Sequence, residues 1–219
     1  MVILTKKAIG FIDGNNFYHT AKKNQINPKK IDFSKIMKFV CKEYKLEYKG
    51  FYYYNSVPSI KFDREIYHQQ MAYLDIVRKM NKNLDVITRK LRYSSPNEIL
   101  EKYYQKKQNL EQLNLCEVCK KKIEPACLSC ILEKSKREKG VDVSIATDII
   151  QKGMENEYDA CILFSGDADF VPALQLIKKY ERQAISAFIR CKGYSWELRQ
   201  KIECIAITKE DFDDFLISP

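Results

Sequence analysis

Five residues able to hold a hard cation or a phosphate stand where a strand gives way to a helix or loop, and this constrains the chain more than any other feature. They are Asp13, Asn16, Asp142, Asp167 and Asp169. Asp13 closes the apolar run Ala8 to Ile12 and precedes Gly14-Asn15-Asn16. Asp167 and Asp169 follow Cys161-Ile162-Leu163-Phe164 through the turn Ser165-Gly166. In an open α/β sheet the ligand crevice lies beyond the carboxyl ends of the strands, so acidic strand ends of this kind point into one crevice. Carboxylates gathered there repel, a pair about 4 Å apart by roughly 4 kcal/mol at an effective dielectric near 20. A divalent cation offsets that repulsion, and oxygen-rich ligation without imidazole suits Mg²⁺ or Mn²⁺ better than Zn²⁺. Taken singly, each of these aspartates also reads as a helix cap or turn residue.

The intervening sequence alternates between two periods. Residues 8 to 13 read as a strand and 16 to 23 as a helix that Asn15 or Asn16 would cap. Phe33, Ile36, Met37, Val40 and Tyr44 form a helical stripe, the aromatic run Gly50 to Tyr54 a strand ended by Asn55-Ser56-Val57-Pro58, Phe62 to Met80 an amphipathic helix, and Leu84 to Leu91 a third strand. After Ser94-Ser95-Pro96 the chain turns polar and helical from Asn97 to Asn114, and residues 95–138 read as an insertion. The core pattern resumes with a helix over Val141 to Lys152, a strand over Asp159 to Phe164, a helix over Phe170 to Tyr180, a strand over Ala184 to Ile189, a short helix over Ser195 to Ile202 and a strand over Cys204 to Thr208. This alternation predicts a parallel sheet with helices on both faces, one domain over residues 1–219 carrying one insert. Asp211, Asp213 and Asp214 read as a solvated terminus, and Asp148, on another face of its helix than Asp142, as a structural residue or one that supports the site's ligands from behind.

Phe11-Ile12-Asp13-Gly14-Asn15-Asn16, Lys139-Gly140-Val141-Asp142-Val143 and Phe164-Ser165-Gly166-Asp167-Ala168-Asp169-Phe170 resemble the three motifs of NYN domains, the LabA-like branch of the PIN-like nucleases. The resemblance covers most of the chain, in order. It implies a PIN-like α/β fold and a metal-dependent ribonuclease whose acidic residues bind Mg²⁺ or Mn²⁺, with Asn16 orienting a phosphate oxygen or a metal-bound water. The products it implies are a 5′-phosphate and a 3′-hydroxyl. His19 and His68 fall in no motif, which leaves a metal-activated water as the expected nucleophile.

Four of the eight cysteines are crowded together, as Cys116-x-x-Cys119 and Cys127-x-x-Cys130. Each pair can grip one ion, and the loop Lys120 to Ala126 is long enough to fold back and complete a tetrahedral Cys₄ zinc site of structural type. An iron–sulfur cluster is the other metal reading. Of the dispersed cysteines, Cys161 reads as a buried small hydrophobe, and Cys41, Cys191 and Cys204 as the same. No apolar stretch is long enough for a signal peptide or a membrane span, so a cytoplasmic protein with reduced thiols is expected.

A formal net charge of +9 points to a polyanionic partner. Lys120, Lys121, Lys122, Lys134, Lys136, Arg137 and Lys139 collect beside the cysteines and read either as an RNA-facing arm or as a solvated charged hairpin. Arg190, Lys192, Tyr194, Trp196 and Arg199 mix cations with aromatics, a composition suited to stacking single-stranded bases or, for Trp196, to ordinary packing. The leading expectation is a Mg²⁺- or Mn²⁺-dependent ribonuclease acting on RNA. An RNA-binding adaptor that keeps the fold without useful turnover is the second, and a phosphohydrolase of small esters the third. Related folds suggest a homodimer.

Overall fold

The computed structural model describes residues 5–81, 83–133, 136–137, 140–190 and 195–216. In chain order the elements are β1 (Lys7–Asp13), α1 (Gly14–Lys23), α2 (Phe33–Glu43), β2 (Glu47–Val57), α3 (Arg64–Met80), β3 (Leu84–Lys90), β4 (Arg92–Tyr93), α4 (Pro96–Glu111), α5 (Glu117–Glu133), β5 (Lys136–Arg137), α6 (Val141–Met154), β6 (Ala160–Phe164), α7 (Val171–Lys179), β7 (Gln183–Ile189), α8 (Trp196–Lys201), β8 (Glu203–Ile207) and α9 (Asp211–Phe215). The chain separates into two compact units, one of Met1–Arg89 with Gly140–Pro219 and one of Lys90–Lys139.

The larger unit is built on a six-stranded parallel sheet in the order β3-β2-β1-β6-β7-β8. Its central strands are buried on both faces, which is why they read as unbroken apolar runs. β6, Ala160 to Phe164, is buried at every position. Alternate side chains feed two separate cores. Ile12, Ile162, Phe164, Ile185 and Ala187 face α1 and α2, meeting Phe17, Phe33, Ile36 and Met37. Phe11, Cys161 and Leu163 face α6, α7 and α8, meeting Ile145, Ile149, Leu174 and Leu198. Burial of Cys161 pushes its thiol well above the ordinary range. Cys41 is also buried, and its thiol is pushed up to about 11.

β2 runs on through Asn55, Ser56 and Val57, where a turn was expected. Both polar residues are buried; the side chain and carbonyl of Ser56 are satisfied by Asn15 and Gln70 respectively, while Asn55 Oδ1 is buried without a hydrogen-bond partner among the described residues. Polar groups with partners can remain in a strand that composition alone would end. In the acidic segment after β8, Asp213 and Asp214 are exposed as expected, but the segment is a packed helix rather than a loose terminus. α9 buries Phe212 and Phe215 in the first core, and Phe17 packs against Phe212 at 5–7 Å aromatic spacing, with ring centroids 6.3 Å apart. The (i, i+3) pair Phe212/Phe215 is the helical signal, hidden by the carboxylates around it. Asp211 accepts from the N–H and hydroxyl of Thr208 and ties α9 to the end of β8.

The smaller unit pairs β4 with β5 antiparallel, Arg92 opposite Arg137 and Tyr93 opposite Lys136. Ser95 starts α4 in a reciprocal capping box with Glu98, with Pro96 in the first turn. The break at Ser94-Ser95-Pro96 is therefore a helix start.

Replacing Phe212 by Ala should cost about 3–5 kcal/mol, as for other buried aromatics. Urea unfolding checks this, and a loss below about 0.5 kcal/mol, the scale of a surface substitution, would return α9 to the solvated reading.

Candidate active site

The strand order reverses direction between β1 and β6: β2 and β3 extend the sheet one way from β1, β6 to β8 the other. A crevice opens at such a switch point, beyond the carboxyl ends of the two strands. Ile12 pairs with Phe164, so the next residues, Asp13 and Ser165, emerge side by side from adjacent strands.

A chain of hydrogen bonds links them. Ser165 Oγ donates to Asp13 Oδ2 (3.5 Å) and accepts from the N–H of Asp167 (3.3 Å). Asp167 Oδ1 in turn accepts from the N–H of Asp169 (3.0 Å). A hydroxyl can serve both roles at once, one O–H outward and one lone pair inward. The Ser165 carbonyl accepts from Ser186 Oγ on β7 (2.9 Å), which fastens the turn from the far side. Asp13 is only 5% exposed, and its Oδ1 accepts from the N–H of Asn16 (3.1 Å), so Asp13 is the cap of α1. This corrects the expected cap at Asn15 or Asn16: α1 begins at Gly14, two residues early. A negative cap at the positive end of a helix is favourable, so capping and cation binding are compatible roles.

Asn16, Ser165, Gly166, Asp167 and Ser195 line a cleft of about 310 Å³ at this switch point. Asp169 is exposed on the turn beyond Asp167, and Asp142 is exposed in the first turn of α6. Among the described residues no three His, Cys, Asp or Glu side chains converge closely enough to hold one ion. The expected crowding of Asp13, Asp142, Asp167 and Asp169 on a single point therefore differs from the arrangement found. Its nucleus is the pair of strand-end acids joined through Ser165. Hard oxygen donors of this kind suit Mg²⁺, which usually keeps several waters and needs one or two carboxylates.

Two glycines shape the site for different reasons. A Cβ on Gly14 would lie 2.4 Å from a ring carbon of Tyr53 and 2.5 Å from the carbonyl oxygen of Tyr54, so only a bare Cα lets α1 start this close to β2. Gly140, before α6, has φ +85° with open space around it, so its need is conformational alone. α6 is held by Tyr54, whose hydroxyl donates to Asp148 Oδ2 (2.7 Å), and by Arg89, whose Nε donates to Ser144 Oγ (2.8 Å). Burial, then Asp148, raises the Tyr54 hydroxyl far above its ordinary value and keeps it a donor. Asp148 is structural, as its position on the helix suggested.

Both Cys pairs belong to one segment: Cys116 precedes α5, and Cys119, Cys127 and Cys130 lie within it. The loop expected to fold back is helical. Eight helical residues span about 12 Å, several times the sulfur–sulfur spacing allowed by zinc–sulfur bonds of about 2.3 Å, so Cys119 and Cys127 do not share an ion in this conformation. Cys116 and Cys119 are neighbours and exposed, and hydrogen bonds from Cys119 hold the Cys116 thiol below its ordinary value. Lys121 and Lys122 are exposed and Lys120 half-buried. Lys134, Lys139, Cys191, Lys192 and Tyr194 lie outside the described residues, as do the side chains of Cys130, Lys136 and Arg137. His19 and His68 are exposed, and His19 lines a second cleft with Asn15 and Tyr18. Sequence reasoning placed Ser165 in a turn and did not single out Ser186; the signal for Ser186 was one hydroxyl inside an otherwise apolar strand.

A doubly wound parallel sheet with acids at its switch point is the architecture of a PIN-like nuclease fold. The NYN domain matches residues 7–207, and the chain belongs to the NYN domain family, whose members are generally nucleases. Among solved structures it is similar to a protein of unknown function from Vibrio parahaemolyticus, with 17% identity, 99% of each chain covered and a TM-score of 0.57, a likeness of fold. No curated protein matches. No helix among the described residues is long and apolar enough to cross a membrane.

The two glycines separate in mutation. Gly14→Ala forces Tyr53 or α1 aside and should cost about 1–3 kcal/mol as overpacking does. Gly140→Ala pays only the left-handed backbone, about 1–2 kcal/mol. Thermal melts give the stabilities, and amide chemical shifts of Asp13 and Ser165 should move only for Gly14→Ala.

Proposed function

We propose that the protein is a metal-dependent ribonuclease of the LabA-like type that hydrolyses RNA phosphodiester bonds in the cleft at the switch point. The observation that carries this reading is the linkage of Asp13 to Asp167 through Ser165 across adjacent strands, with Asn16 on the same cleft wall. Asp13 and Asp167 would hold Mg²⁺ or Mn²⁺, with Asp142 and Asp169 reaching it through water. When bound, the cation would supply an activated water and offset charge on the leaving oxygen. Asn16 orients a phosphate oxygen, and its backbone is fixed for that task by Asp13. Lys120, Lys121, Lys122, Arg137 and Lys139 would pair with flanking phosphates. A cytoplasmic location, where thiols stay reduced, belongs to the same reading.

A structural zinc on Cys116, Cys119, Cys127 and Cys130 belongs to the same proposal. It requires α5 to open, and Pro125 inside that helix marks the place, since proline removes a helical hydrogen bond and disfavours helix at Glu124. Metal analysis by mass spectrometry should find one zinc per chain. A metal-free chain with all four thiols titratable would remove the zinc.

One observation favours the second reading, an RNA-binding adaptor: three acids do not converge among the described residues. Asp167→Asn decides between them. Asn keeps the Oδ1 that accepts from Asp169, so the turn survives, while the charge is lost and repulsion with Asp13 is relieved. Metal-dependent cleavage of a labelled RNA panel should fall about a hundredfold or more. The metal-free protein should melt at an equal or higher temperature. Wild-type protein that cleaves no RNA with Mg²⁺ or Mn²⁺ would establish the adaptor instead.

A further inference from the structure

Trp196 is the sole tryptophan of the chain and is 72% exposed. Composition left it between packing and base stacking, and its exposure rules out packing. Its neighbours set its direction. Leu198 is fully buried in the core beneath α8. Two residues along a helix turn by about 200°, so Trp196 points away from that core. Arg199, about 60° from Trp196 around the same helix, is exposed beside it.

The start of α8 is tied to the acidic turn. The N–H of Ser195 donates to the carbonyl of Gly166 (3.1 Å), the residue between Ser165 and Asp167. Ser195 also lines the cleft shared by Asn16 and Asp167. The tryptophan therefore stands at the rim of the cleft, one residue from its wall, and exposed Arg190 closes the neighbouring strand β7.

Resting on the ribonuclease reading, we propose that Trp196 is a stacking platform for an unpaired base of single-stranded RNA whose backbone enters the cleft, with Arg199 and Arg190 against its phosphates. An indole face accepts any base, so the platform selects strandedness over sequence. In a duplex both faces of each base are already stacked, so a paired strand gains nothing from it. The ribonuclease then acts on unpaired RNA.

The sole tryptophan is its own probe. Metal-free protein in EDTA is titrated with a single-stranded oligouridylate and, separately, with the same strand paired to oligoadenylate, while anisotropy of a labelled strand reports binding independently. Quenching of Trp196 emission is expected with the single strand and little with the duplex. Trp196→Ala should weaken single-strand binding by about 5- to 150-fold, the range for loss of one stacked base, and Trp196→Phe should recover most of it. Binding by anisotropy with unchanged emission and an unaffected Trp196→Ala overturns the platform. So does a blue shift that grows with protein concentration without RNA, which assigns the ring to self-association, and so does the absence of RNA binding by either signal. Cleavage assays with Mn²⁺ separate the two claims: turnover without quenching sinks the platform alone, and quenching without turnover sinks the ribonuclease reading alone.

Discussion

Everything at the candidate site depends on the parallel pairing of β1 with β6. That pairing places the sheet's reversal between two strands that both end in acid-bearing turns. Adjacent strands lie about 4.8 Å apart, so the acid-bearing turns at both ends share one crevice whether or not a cation is present. The protein manages the charge in part with its own groups: Asp13 is turned onto the start of α1 and the hydroxyl of Ser165, and Asp167 onto the N–H of Asp169. Each carboxylate thus has a structural duty in the turn that carries it.

That duty explains why cap and ligand were poorly separable alternatives. An aspartate after an apolar strand caps the next helix because the chain must turn there, and the same turn aims it into the crevice. Rigid support then matters alongside the acids themselves. Gly14 allows α1 to begin against Tyr53, Ser186 pins the Ser165 carbonyl, and Tyr54 and Arg89 anchor α6 through Asp148 and Ser144.

Much of the fold was legible because parallel strands buried on both faces read as continuous apolar runs, and the helices between them keep clean apolar stripes. The strand-end acids were legible for the same reason. What failed was whatever depended on partners distant in sequence. Asn55 and Ser56 looked like a turn until Asn15 and Gln70 were seen to satisfy Ser56. The phenylalanines of α9 were masked by acids. The segment Lys120 to Ala126 is helical despite Pro125, and the spacing of the cysteines on either side of it did not reveal that. Whether Asp142 reaches Asp13 is a tertiary question that no local pattern encodes.

The central claim is that one hard cation sits between the ends of β1 and β6. Fe²⁺ exchanged into the protein and treated with ascorbate and peroxide cuts the backbone beside the bound ion, and mass spectrometry maps the cuts. The account predicts paired cuts near Asp13 and near Ser165 to Asp169, both suppressed by excess Mg²⁺. Cuts confined to one of these turns, or located only around the cysteines of α5, would contradict it.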